Sequence, residues 1–102
     1  MLLFKGIDIP MYKTKEYAKQ KLDVVLKGEQ RNCVSWTDNE QNAKDWASNS
    51  GFGYLISAKI PVNKILISHH GSYILEQAGE DEFVVEPLKV TKELYNVETV
   101  KS

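Results

Sequence analysis

The stretch FGYLISAKIP (52–61) alternates, with Phe52, Tyr54, Ile56, Ala58 and Ile60 on one side. A period of two belongs to a strand, because successive side chains leave opposite faces of an extended chain. An apolar face of that length has to be covered, so this strand demands a sheet with something packed against it. The chain has 102 residues with which to do so, which is room for one domain and one core of modest size. Residues 1–102 are therefore read as a single domain.

The remaining elements are arranged around that strand. LLFKGI (2–7) is a short apolar run broken by Lys5 and ending before Pro10, which reads as a first strand. KTKEYAKQKLDVVLKG (13–28) places Ala18, Leu22, Val25 and Leu26 at helical spacing and stops at Gly28. RNCVSWT (31–37) is rich in strand formers. Thr37 and Glu40 then make a capping-box pair, in which the hydroxyl accepts from a free N–H while the glutamate reaches back. The helix that follows, about 38–49, buries Ala43, Trp46 and Ala47 on one face and ends at SNSG. After 52–61 comes a short turn with Pro61 and Asn63, then a strand at KILIS (64–68). HHGSYILEQAGED (69–81) lacks sustained periodicity and reads as a long loop, followed by strands at EFVVE (82–86) and KELYNVETV (92–100). Helices early and strands late predict an α+β domain, not a repeating βαβ wind.

Composition narrows the function classes. With 13 basic and 14 acidic side chains the net charge is −1, so no basic excess points to nucleic acid. A protein acceptor or partner is the expectation. The opening apolar run, MLLF, is too short for a signal-peptide core or a membrane span. A single cysteine, Cys33, excludes an intrachain disulfide and fits a reduced, cytoplasmic setting. The Lys, Asn and Ile content suits a bacterial or phage genome. Nothing near Cys33 in sequence supplies a base to activate it, so it reads as a small buried hydrophobe. His69 and His70 are adjacent, would point to opposite sides of an extended chain, and lack any accompanying ligand spacing; no metal site is read from them. Trp46 lies on the apolar helix face, whereas Trp36, at a strand end, is open to stack on a ligand.

Three short fragments remain as chemistry: Lys5-Gly6, Ser35-Trp36-Thr37, and the acids of GEDEFVVEP (79–87). Alone, Glu80, Asp81 and Glu82 are most simply a solvated turn. On an extended chain, however, Glu80 and Glu82 share a side, Asp81 points away, and Phe83 and Val85 turn to a buried face.

Taken in order, these fragments resemble the motifs of the ADP-ribosyltransferase superfamily, in the branch built from an arginine, a serine motif and a glutamate. That family opens on an aromatic-Arg-Gly strand, and LLFKGI is similar to it with Lys5 at the arginine position. VSWTDNEQNAKDWA (34–47) resembles the serine strand running into a helix, with Ser35 as the leading serine. GEDEFVVEP resembles the Glu/Gln-x-Glu motif that opens a late strand, with Glu80 and Glu82 at the acidic positions. The likeness spans roughly 2–90. It implies an α+β fold with a split β-sheet flanked by two helices and a cleft for NAD, the glycosyl donor, between the halves. It further implies a small mono-ADP-ribosyltransferase that moves ADP-ribose from NAD to a macromolecular acceptor. Glu82 would stabilise the sugar cation, Glu80 would orient or deprotonate the acceptor, and Ser35 would bind near the nicotinamide ribose and orient Glu82. Lys5, Gly6, Trp36 and Thr37 would complete the NAD site, and Tyr73 would recognise the acceptor. Lys5 is the departure: a lysine offers a point charge where the family's arginine offers a planar fork. The alternative it implies is a catalytically silent binding module that acts as inhibitor or adaptor of a partner protein.

Overall fold

The computed structural model describes residues 1–30, 34–68, 82–90 and 95–101. In chain order the elements are β1 (Leu2–Asp8), α1 (Lys15–Leu26), β2 (Val34–Thr37), α2 (Glu40–Ala47), β3 (Phe52–Lys59), β4 (Ile65–Ser68), β5 (Glu82–Val85) and β6 (Tyr95–Lys101). The α+β order expected from the sequence is the order observed. The expectations for Cys33, for His69 and His70, for the loop at 69–81 and for the first residues of the last strand lie outside the described residues.

The strands form one antiparallel sheet in the order β4-β5-β2-β1-β3-β6. β1 pairs with β3 along its whole length, from Leu2 opposite Lys59 to Asp8 opposite Gly53. With β2 it shares one register pair only, Phe4 opposite Thr37. The sheet is therefore two three-stranded ladders, β4-β5-β2 and β1-β3-β6, joined at a narrow seam.

One face carries the main core. Leu3, Ile7 and Ile9, Ile56, Ala58 and Ile60, and Trp36, Phe83 and Val85 pack there with Ala18 and Val25 of α1. Side chains from both ladders enter this one cluster, so apolar burial bridges the seam that backbone pairing leaves almost open. α1 begins at Thr14, whose Oγ1 accepts from Tyr17 N–H at 3.2 Å. It ends in a Schellman turn: Gly28 has φ +69°, its N–H bonds Val25 O at 3.3 Å, and Glu29 N–H bonds Val24 O at 3.0 Å. Val90 N–H bonds Leu26 O at 2.8 Å and fastens the chain after β5 to the helix end.

α2 occupies the other face and sits almost on the strand backbones. A Cβ added to Gly6 or Gly53 would run into the carbonyl oxygens of Ala43 and Ala47 respectively. The sequence predicts one buried face for β3, but Gly53 and Leu55 on its alternate face are buried as well. Glycine carries no side chain with which an alternation pattern could register that burial. α2 also differs from its predicted form: Ala43 and Ala47 are fully buried while Trp46 is only half-buried. At this spacing from the sheet, only alanine fits between helix and strand. The predicted capping box is absent too. Asn39 caps α2, its Oδ1 accepting from Asn42 N–H at 3.1 Å, while Glu40 pairs with Lys44 at 3.4 Å.

Candidate active site

Lys5 shares the face of Leu3 and Ile7 along β1, so its side chain leaves on the α1 side of the sheet. Ala18 of α1 enters the core, but Tyr17, Gln20, Lys21 and Val24 border the gap between the helix and β1. The space left between them is an open cleft of about 590 Å³, bordered also by Asp8 and Gln30. From the cleft wall, Lys5 Nζ donates to the carbonyl oxygen of Ser35 at 3.1 Å, across the seam between β1 and β2. Burial is the main reason its pKa falls from 10.5 to about 8; nearby Lys21 lowers it further, against the opposing pull of Glu82.

Ser35 and Glu82 meet through strand register. Thr37 stands opposite Glu82 and Ser35 opposite Val84, which makes Ser35 and Glu82 diagonal neighbours on one face of the β2–β5 pair. Ser35 Oγ donates to Glu82 Oε1 at 2.7 Å, a short bond of the charge-assisted kind. An ammonium, a hydroxyl and a carboxylate from β1, β2 and β5 are thus linked through one residue, Ser35. The carboxylate is half-buried and oriented before any ligand arrives. Such a group can accept a hydrogen bond from a sugar hydroxyl or stabilise positive charge that develops beside it.

Among the described residues expected at the site, Ser35 and Glu82 meet side chain to side chain, Lys5 joins them at the Ser35 carbonyl, and Trp36 and Thr37 stand apart. Trp36 is 1% exposed, deep in the core opposite Phe83, and cannot stack on a ligand. Strand alternation explains this: Trp36 joins the core face that also carries Lys5, so Ser35 and Glu82 take the other face, and Lys5 reaches Ser35 only through its backbone carbonyl. Among the described residues its indole N–H has no acceptor. Thr37 is fully buried, and its Oγ1 accepts from Asn39 N–H at 3.0 Å, turning the chain from β2 towards α2. Gly6 borders the cleft with its backbone, and its lack of a side chain is already required by α2. Ser35 and Glu82 do not line the cleft beside α1; Lys5 is the link between cleft and carboxylate. Glu80 and Tyr73 lie outside the described residues.

Sequence reasoning missed the α1 side of the cleft. Tyr17 and Lys21 are four apart on the helix and share a face, a spacing that the apolar periodicity of 13–28 does not include. Asp8 gave no signal at all. Its carboxylate accepts from Ser50 N–H at 2.9 Å and Ser50 Oγ at 2.8 Å, tying the end of β1 to the turn before β3. Gln30 Oε1 is buried beside the cleft without a hydrogen-bond partner among the described residues.

Among the described residues, no three His, Cys, Asp or Glu side chains are grouped to hold a metal ion, and no helix is long and apolar enough to cross a membrane. No protein-family model, curated protein or solved structure matches this chain.

Proposed function

We propose that this domain transfers ADP-ribose from NAD to a macromolecular acceptor, with Glu82, Ser35 and Lys5 at the reacting end. The observation that carries the reading is the 2.7 Å bond from Ser35 to Glu82, between residues 47 positions apart, with Lys5 bonded to the same serine. In this reaction the bond between nicotinamide and ribose breaks, nicotinamide leaves with the electron pair, and positive charge develops on the sugar. Glu82, held by Ser35, stabilises that charge, and the acceptor's nucleophile then bonds to the same carbon and loses a proton. Lys5 supplies one positive charge for ribose or phosphate oxygens. Glu80 and Tyr73 serve the acceptor in this reading.

Labelled NAD offered with a broad mixture of protein acceptors is expected to give transfer that Glu82→Gln abolishes while circular dichroism stays native. NAD at a hundred times its dissociation constant should add about 2.7 kcal/mol of stability. Lys5→Arg should bind NAD more tightly, since a guanidinium grips oxygens with two parallel bonds. Absence of transfer, of hydrolysis and of stabilisation together would overturn the reading.

One observation favours the silent binding module instead: Ser35 and Glu82 are not among the residues lining the cleft beside Lys5. That reading expects no NAD-induced stabilisation, and a stoichiometric protein partner whose capture is unaffected by Glu82→Ala.

A further inference from the structure

We propose that the cleft between β1 and α1 captures a small anionic carbonyl compound, such as a 2-oxo acid, as a Schiff base on Lys5. The inference is independent of NAD, and it turns on what a lysine can do here and an arginine cannot. The stem of Lys5 emerges between the core residues Leu3 and Ile7, and its amine reaches a cleft of about 590 Å³, ample for a small metabolite. Among the described residues Lys5 forms no ion pair within 4.0 Å that would hold it as a cation. Its hydrogen bond goes to the carbonyl of Ser35 at 3.1 Å, and a neutral amine makes that bond as a donor while keeping its lone pair.

The charged and titratable groups around the amine suit this use. Lys21 from α1 lines the same cleft and provides a cation for the carboxylate or phosphate of the ligand. Asp8 of β1 also borders the cleft and keeps its negative charge, its two carboxylate oxygens held towards the turn before β3 by Ser50, so Lys21 has to outweigh it for an anionic ligand. Tyr17 of α1 borders the cleft, and Glu82 of β5 is near enough to favour the ammonium, against burial and Lys21. Burial and Lys21 prevail, and a pKa of about 8 leaves a useful fraction of free amine near neutrality. A desolvated lysine beside a second cation is a recognised form of activated amine nucleophile.

The lone pair of Lys5 Nζ bonds to the carbonyl carbon, and the carbonyl π electrons move to oxygen to give a carbinolamine. The nitrogen lone pair then forms the C=N bond as the oxygen leaves as water. Both hydrogens of that water derive formally from the amine nitrogen, by way of solvent in the open cleft.

The test uses the whole chain with glyoxylate and cyanoborohydride, whose hydride reduces the imine carbon to leave a stable secondary amine. Peptide mass spectrometry then ranks the lysines by rate. Lys5 is expected to be labelled at least about ten-fold faster than the exposed Lys19 and Lys27 at pH 7.5, as its lower pKa supplies more free amine. Equal labelling of the exposed lysines, or labelling of Lys21 ahead of Lys5, would overturn the proposal, and neither outcome needs a variant that folds. Lys21→Gln should slow capture of glyoxylate more than capture of uncharged acetaldehyde; equal slowing would remove the anion from the proposal.

Discussion

Lys5 has a folded-state pKa of about 8 against 10.5 for an exposed lysine. Between those values the native state binds fewer protons than the unfolded chain, so this residue makes stability rise with pH across that window. Below pH 8 the full penalty of an ammonium that is desolvated and faces Lys21 is present, on the order of 3 kcal/mol. Replacing it by methionine removes the charge and keeps the apolar stem, at the loss of one hydrogen bond worth about 1 kcal/mol. Lys5→Met is therefore expected to be more stable than the native chain by roughly 2 kcal/mol at pH 7. The difference should shrink as pH approaches 10, as followed by urea unfolding at several pH values; a gap independent of pH would contradict the burial argument. At the same scale, Trp36→Ala should lose about 3–5 kcal/mol and Trp36→Phe much less, because phenylalanine brings no N–H to bury. Phe83 and Val85 were legible in the sequence because alternation alone decides their face. Trp36 was not, because burial at a strand end depends on the partner strand, and nothing in SWT says that Phe83 arrives opposite.

The two helices meet the sheet in opposite ways, and each way was only partly readable. α1 and the strands appear where periodicity places them, within a few residues. The α2 cap was misread because Thr37 and Asn39 are both competent caps, and the choice rests on where β2 stops pairing. Thr37 is still in the sheet, opposite Phe4 on one side and Glu82 on the other, so the helix can start only after Asn39. The seat of α2 predicts that Gly53→Ala and Gly6→Ala each cost about 2–3 kcal/mol, since the new methyl meets backbone that cannot rotate away. Gly28→Ala should also destabilise, by about 1–2 kcal/mol, through its positive φ and the nearby Leu88 backbone. Chemical denaturation checks all three; a neutral Gly53→Ala would show that α2 is not held against the sheet.

Across the whole molecule, the position of the candidate site follows from strand order, which no local pattern encodes. Lys5 and Ser35 are 30 positions apart and Ser35 and Glu82 are 47 apart, so only the placing of β2 between β1 and β5 makes them neighbours. In the sequence their grouping rested on a family resemblance, not on spacing. The same order leaves the seam, and hydrogen exchange should detect it. Amides of β3, paired on both edges, are expected to exchange slowest, and those of β2 fastest among the inner strands. The reverse ranking would mean that the two ladders are joined more firmly than Phe4 and Thr37 alone allow. α2 touches β1, β2 and β3, so it spans the seam from outside, while the core cluster spans it from the α1 side. The angle between the half-sheets is consequently set by side-chain packing, which yields gradually, and not by a ladder of hydrogen bonds, which breaks in steps. The placing of the Ser35–Glu82 pair relative to Lys5, which stand on either side of that seam, becomes a soft coordinate, whose stiffness can be tuned from core positions that never touch a ligand.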